Sequence, residues 1–152
     1  GLPPYRLSSV RMRAEINHDS FREDLFQTMS ASLWANEGQL YLAGSIQDES
    51  LGDQVRSLAS ELGIGVVTFG LSPNDLDDLP HPAQIENAMA RETEALMGRL
   101  RIEKISSPKL RTHCGWESLQ ALRNDHPEMN QLLAWLGGSL ENGKVKPFQT
   151  AR

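Results

Sequence analysis

Apolar and polar residues alternate strictly from Val10 to Ile16. Val10, Met12, Ala14 and Ile16 share one face and Arg11, Arg13 and Glu15 the other, the pattern of a half-buried strand with its apolar row turned inward. The period then changes. Asp19 or Ser20 caps a helix predicted to run to about Trp34, with Phe21, Leu25, Phe26, Met29 and Leu33 on its apolar side. Asn36-Glu37-Gly38 ends it, and there Asn36 and Gly38 are expected to supply positive φ while Glu37 faces solvent or caps. "QLYLAGSI" reads as a second strand. "SLGDQVRSLASELG" is an amphipathic helix with Leu51, Val55, Leu58 and Leu62 inward and Gly63 as its stop. "IGVVTFGL" is a continuous apolar run, expected of a strand buried on both faces. The result is βαβαβ with right-handed crossovers expected.

Beyond it, "SPNDLDDLPHP" reads as a loop and "AQIENAMARETEALMGRL" as one helix, residues 83–100, whose Glu86, Arg91, Glu92, Glu94 and Arg99 form a solvated face. "RIEKISSPKLRTHCG" holds one or two short strands. Two terminal helices follow, "WESLQALRND" and "PEMNQLLAWL", the second with Pro127 in its first turn and Gly137-Gly138 after it. Residues 1–140 are thus read as a single domain and residues 141–152, which lack periodicity, as a mobile tail. Little chain precedes the first strand, whereas a buried βαβαβ sheet ordinarily has strands on the far side of its first. Either the sheet is small or the chain is the C-terminal part of a larger domain in a longer protein, and the second is the expectation.

A length of 152 residues suffices for one continuous core, and 39% hydrophobic with 23% charged residues is ordinary for a globular protein. The single Cys114 excludes an internal disulfide and a cysteine-based zinc site, which fits a reducing compartment. No apolar run of about 18 residues occurs, and "GLPPYRLSSV" lacks the regions of a signal peptide. A cytoplasmic location without membrane contact is the resulting expectation. A net charge of -5 argues against a positively coated surface, but a local basic stripe can still hold phosphate. The histidines, His18, His81, His113 and His126, are scattered. His113 and Cys114, being adjacent, would point to opposite strand faces, so a nucleophile and base pair is disfavoured and Cys114 reads as buried filler. No Gly-x-Ser-x-Gly, phosphate-binding loop or calcium loop occurs.

"FREDLFQTMSASLWANEG", followed by "YLAGSI", "LASELGIGVV" and, after an insertion, "GWESLQALRNDHPEMNQLLAWL", resembles the C-terminal nuclease-like domain of bacterial restriction-associated proteins of the PD-(D/E)XK superfamily. The resemblance covers about residues 8–70 and 115–136, and its helix motif is the specific part. It implies an α/β fold with a restriction-endonuclease-like central mixed sheet flanked by helices. It also implies a metal-dependent phosphodiesterase core, in which an upstream Asp and a strand Glu hold Mg²⁺ and a Lys orients water. With Arg22 matched to the motif's Arg, the family's Glu falls on Arg11 and its Lys on Arg13.

A guanidinium offers only donors, so Arg11 cannot ligate a cation, and Arg13 cannot deprotonate to act as a base. No acidic residue precedes Glu15. The resemblance therefore implies a degenerate nuclease-like domain that binds nucleic acid or a protein partner within a bacterial restriction or defence protein and needs no cofactor. Its candidate nucleic-acid contacts are Arg11, Arg13, Gln27 and Ser30; Ser32 and Trp34 are also kept, while the family's Asn is Ala31. The alternatives are an active Mg²⁺-dependent DNA endonuclease with catalytic Glu15 and Arg13, and a structural or dimerisation domain with an exposed apolar patch where a partner packs. Plainer roles stand beside these. Arg11 and Arg13 can form a solvated strand face paired to Glu15 or to the following helix, Gln27 can cap backbone groups, and Trp34 can be core. DNA, a protein partner, an N-terminal half of a longer chain and a second copy are the partners left open.

Overall fold

The computed structural model describes residues 4–113 and 115–149. The chain is α/β, with a mixed, open four-stranded sheet flanked by helices. The elements run β1 (Ser8–Arg13), α1 (Phe21–Ala31), β2 (Glu37–Leu42), α2 (Glu49–Leu62), β3 (Ile64–Thr68), α3 (Pro73–Asp77), α4 (Pro82–Glu86), α5 (Ala90–Met97), β4 (Glu103–Ser106), α6 (Trp116–Asp125) and α7 (Glu128–Asn142). The sheet order is β1-β2-β3-β4; β1, β2 and β3 are parallel and β4 is antiparallel to β3. Three parallel strands in sequential order, joined by crossovers of one hand, put both connecting helices on the same face. Accordingly α1 and α2 pack together over one side of the sheet.

The core lies between that side and the two helices. Leu40 and Leu42 of β2, Ile64 and Val66 of β3, Phe21 and Leu25 of α1, and Leu51, Val55 and Ala59 of α2 are all buried. The α2 stripe predicted from sequence holds for Leu51 and Val55, with Leu58 and Leu62 partly buried against the core. Asp48 caps α2 by accepting from the Leu51 N–H, and Gly63 closes it at φ 71. β3 is buried throughout, as its apolar run predicts.

Several expectations are corrected. α1 stops at Ala31 rather than Trp34, and its inner stripe is Phe21, Asp24, Leu25 and Thr28, whereas Phe26 and Leu33 are exposed. Two polar residues outside the predicted apolar stripe stand on the inner face, because Thr28 returns its hydroxyl to the Asp24 carbonyl and Asp24 faces the arginines of β1. The predicted helix at 83–100 is two helices, broken after the Asn87 cap and restarted at Met89, whose N–H is accepted by the Glu92 carboxylate at 3.1 Å. The preceding loop also holds α3, set by a capping box between Ser72 and Asp75. α7 continues through Gly137-Gly138 and ends at Gly143, φ 64. The described part of the tail folds back onto it: the Trp135 indole donates to the Lys146 carbonyl at 2.7 Å and Phe148 packs edge-on against Trp135. No helix among the described residues is long and apolar enough to cross a membrane. Cys114 lies outside the described residues.

Candidate functional site: the open face of the sheet and the edge of β1

The alternation in β1 is present, but its sense is reversed. Arg11 and Arg13 share a face with Leu40, Leu42, Val66 and Thr68 and point toward the helices, while Val10 and Met12 align with Gln39 and Tyr41 on the uncovered side. Val10 is 40% and Met12 75% exposed. The inward partner of Arg11 and Arg13 is Asp24. It sits in the first turn of α1, where a carboxylate is favoured by the helix N-terminus, and is almost wholly buried. Its Oδ1 lies 3.4 Å from Arg11 Nη2 and 3.4 Å from Arg13 Nε. Both cations are thus directed at one buried anion. Of the alternatives left open by the sequence, pairing with the following helix is the one observed.

Coordination at this point is incomplete. Asp24 Oδ2 and Arg11 Nε are buried without a hydrogen-bond partner, and no partner is seen for the Arg13 Nη nitrogens among the described residues. Two guanidinium groups face one carboxylate, leaving local positive charge on a chain of net charge -5. Arg11 and Arg13 retain side-chain exposures of 33% and 48%.

The remaining predicted residues are not gathered around them. Glu15 lies past the end of β1, exposed, so it does not continue the arginine row as the alternation implied. Gln27 is exposed and donates to Glu23 at 3.0 Å, and Ser30 is exposed on α1. No group of three or more His, Cys, Asp or Glu able to hold a metal occurs among the described residues. Three histidines have local partners: His18 meets Asp48 at 3.0 Å, His81 accepts from the Ala83 N–H and His126 lies 3.5 Å from Glu128.

What sequence reasoning missed is the apolar side. At the C-terminal ends of the parallel strands, Met12, Tyr41, Phe69, Leu71, Leu76 and Leu100 line a groove of ≈ 430 Å³, with Arg13 at its margin. Tyr41 and Phe69 meet edge-on at 5.2 Å. The ends of parallel strands are where open α/β sheets place ligands. The signal was in the sequence: β3 is apolar on both alternating rows and β2 carries Tyr41 on its second row, so both faces need cover, while sequential topology supplies helices to one. The far side of β3 is covered, since Pro108 lies so near Gly65 that a Cβ there would come within 2.8 Å of Pro108 Cδ. The β1 side has no such cover among the described residues, where Val10 and Met12 are exposed.

At the opposite, N-terminal end of β2, "WANEG" forms a buried polar cluster, and the sequence reading of it is corrected. Neither Asn36 nor Gly38 has positive φ. Gly38 is needed because a Cβ would fall 2.5 Å from Ser32 Oγ. Glu37, 1% exposed, is neither solvent-facing nor a cap; it accepts from Arg6 at 2.6 Å, from Gln39 at 3.1 Å and from the Ser8 hydroxyl. Burial pushes its pKa up, but the Arg6 guanidinium with Ser8 and Gln39 outweighs burial and holds it below the ordinary glutamate value. Asn36 accepts from the Leu7 N–H at 2.8 Å and donates to the Arg111 carbonyl at 3.0 Å. Arg111 in turn donates to the Ser32 and Ala35 carbonyls at the C-terminal end of α1, where a cation is favoured. Trp34 is half-buried beside this cluster. No protein-family model, curated protein or solved structure matches the chain.

Proposed function

We propose that this chain is a non-catalytic docking domain that binds a protein partner through the open face of its sheet. This accords with the degenerate nuclease-like resemblance, in which metal ligation is lost. The observation that carries the reading is the bare apolar row of β1, with Met12 75% exposed beside the groove at the strand ends. An exposed apolar surface continuous with a concave groove is characteristic of interaction sites rather than of free surface.

The residues that would perform phosphodiester chemistry are poorly placed for it. Arg11 and Arg13 are directed at Asp24, and Glu15 stands in the loop beyond the strand. A hard cation needs several oxygen ligands, and here the buried carboxylate beside Arg11 and Arg13, that of Asp24, is already faced by two guanidinium groups.

The test is a pair of assays on the whole chain. Supercoiled plasmid is incubated with it in Mg²⁺ and in Mn²⁺, with chelator and Glu15→Ala as controls, and an apolar fluorescent dye is titrated against wild type and Met12→Arg. The reading expects intact plasmid throughout and dye binding that falls several-fold in Met12→Arg. Cleavage abolished both by chelator and by Glu15→Ala would instead establish a metal-dependent nuclease. Dye binding unaffected by Met12→Arg would remove the docking face.

A further inference from the structure

We infer that the edge of β1 accepts an added strand from a protein partner, an extended segment whose side chains alternate between apolar and acidic. This rests on the docking reading above and specifies the occupant. β1 ends the sheet, so one side of its backbone has no strand partner among the described residues. An unpaired edge is a template for strand addition, in which main-chain hydrogen bonds give affinity and alternate side chains give specificity.

The two faces of β1 set what those side chains must be. On the open face, Val10 and Met12 lead to the groove through Tyr41, so the incoming residues there must be apolar. On the helix face stand Arg11 and Arg13, whose side chains are 33% and 48% exposed, with Asp24 as their only anionic partner seen among the described residues. Acidic residues at alternate positions give the exposed parts of both guanidinium groups acceptors and balance the charge. Because side-chain direction alternates with period two, one strand satisfies both faces only if apolar and acidic residues alternate.

The other occupants fit less well. A second copy pairing β1 against β1 in antiparallel fashion would bring the arginines of the two strands together, and like charges across a strand pair are destabilising. A nucleic-acid backbone would answer Arg11 and Arg13 but leave Val10 and Met12 in water.

The test titrates the whole chain against a fluorescent heptapeptide of alternating Val and Glu, read by anisotropy. Its comparators are a Val/Lys peptide, a peptide of the same Val and Glu content with the residues in blocks, and a short DNA duplex. The expected result is that the alternating Val/Glu peptide binds at least about tenfold tighter than either other peptide, weakens with salt, and loses about tenfold affinity in Met12→Arg. Arg11→Glu/Arg13→Glu should reverse the preference toward Val/Lys. The milder Arg11→Ala/Arg13→Ala should simply abolish the preference, and circular dichroism checks that each variant is folded. Equal binding of all peptides, a preference unchanged by the arginine variants, or duplex binding in place of peptide binding would overturn the inference. Should the peptide fail while the apolar dye still depends on Met12, strand addition falls and the docking face stands. Failure of both removes both.

Discussion

Glu37 and Asp24 are both buried carboxylates, each in contact with arginine, yet they are satisfied to different degrees. Glu37 has a charged donor and two neutral ones shared over its two oxygens, within a cluster that ties the segment before β1 to the start of β2. Asp24 has two arginines at 3.4 Å on a single oxygen, and its other oxygen has no partner. Fully connected buried polar groups fix a structure, whereas partly connected ones retain capacity for something else. Glu37 therefore belongs to the architecture, and Asp24 marks a place where charge has been positioned but not used up.

The largest effect is expected from removing Glu37. Glu37→Ala leaves Arg6, Ser8 and Gln39 without their acceptor and opens a gap at the start of β2, so urea unfolding should show a loss of about 2–3 kcal/mol. Gly38→Ala comes next. Its Cβ would overlap Ser32 Oγ, and displacing that buried side chain should cost about 1–3 kcal/mol in the same assay. The comparison also has a pH signature. Because the folded-state pKa of Glu37 is lowered, its contribution is fully present above the ordinary glutamate value and is lost as pH falls from there through the lowered one. The stability gap between wild type and Glu37→Gln should therefore narrow as pH is lowered through that range, which unfolding curves at successive pH values would show. The smallest effect belongs to Asp24→Asn, which keeps the shape of a buried side chain and releases two arginines exposed enough for water to solvate. It should cost about 1 kcal/mol.

The order of the elements was legible because the period of hydrophobicity changes sharply, from two in Val10–Arg13 to helical in Phe21–Ala31 and to continuous in Ile64–Thr68. Gly63 as a left-handed stop was legible for the same local reason. Which face of β1 is inside was not. Alternation distinguishes two rows but says nothing about where helices fall, and here the inward partner of the arginines, Asp24, lies thirteen residues beyond Arg11. The break between α4 and α5 depends on caps at Asn87 and Met89 in a stretch of good helix formers, where capping competes with propensity over a single turn. "WANEG" looked like a turn because Asn and Gly favour positive φ. Close approach of Ser32 and buried hydrogen bonds from Leu7 and Arg111 are long-range facts that no local pattern encodes. The groove was half legible, since Tyr41 and Phe69 on the second apolar row announced a face in need of cover.

The account separates folding from binding at one residue, so the most direct measurement takes both quantities on Asp24→Asn: the urea midpoint and the affinity for the alternating Val/Glu peptide. The prediction is a midpoint nearly unchanged from wild type and a several-fold tighter peptide, because Arg11 and Arg13 lose their internal competitor. A stability loss matching that of Glu37→Gln, with peptide affinity unchanged or weaker, would show that Asp24 and its arginines are part of the architecture and contradict the account.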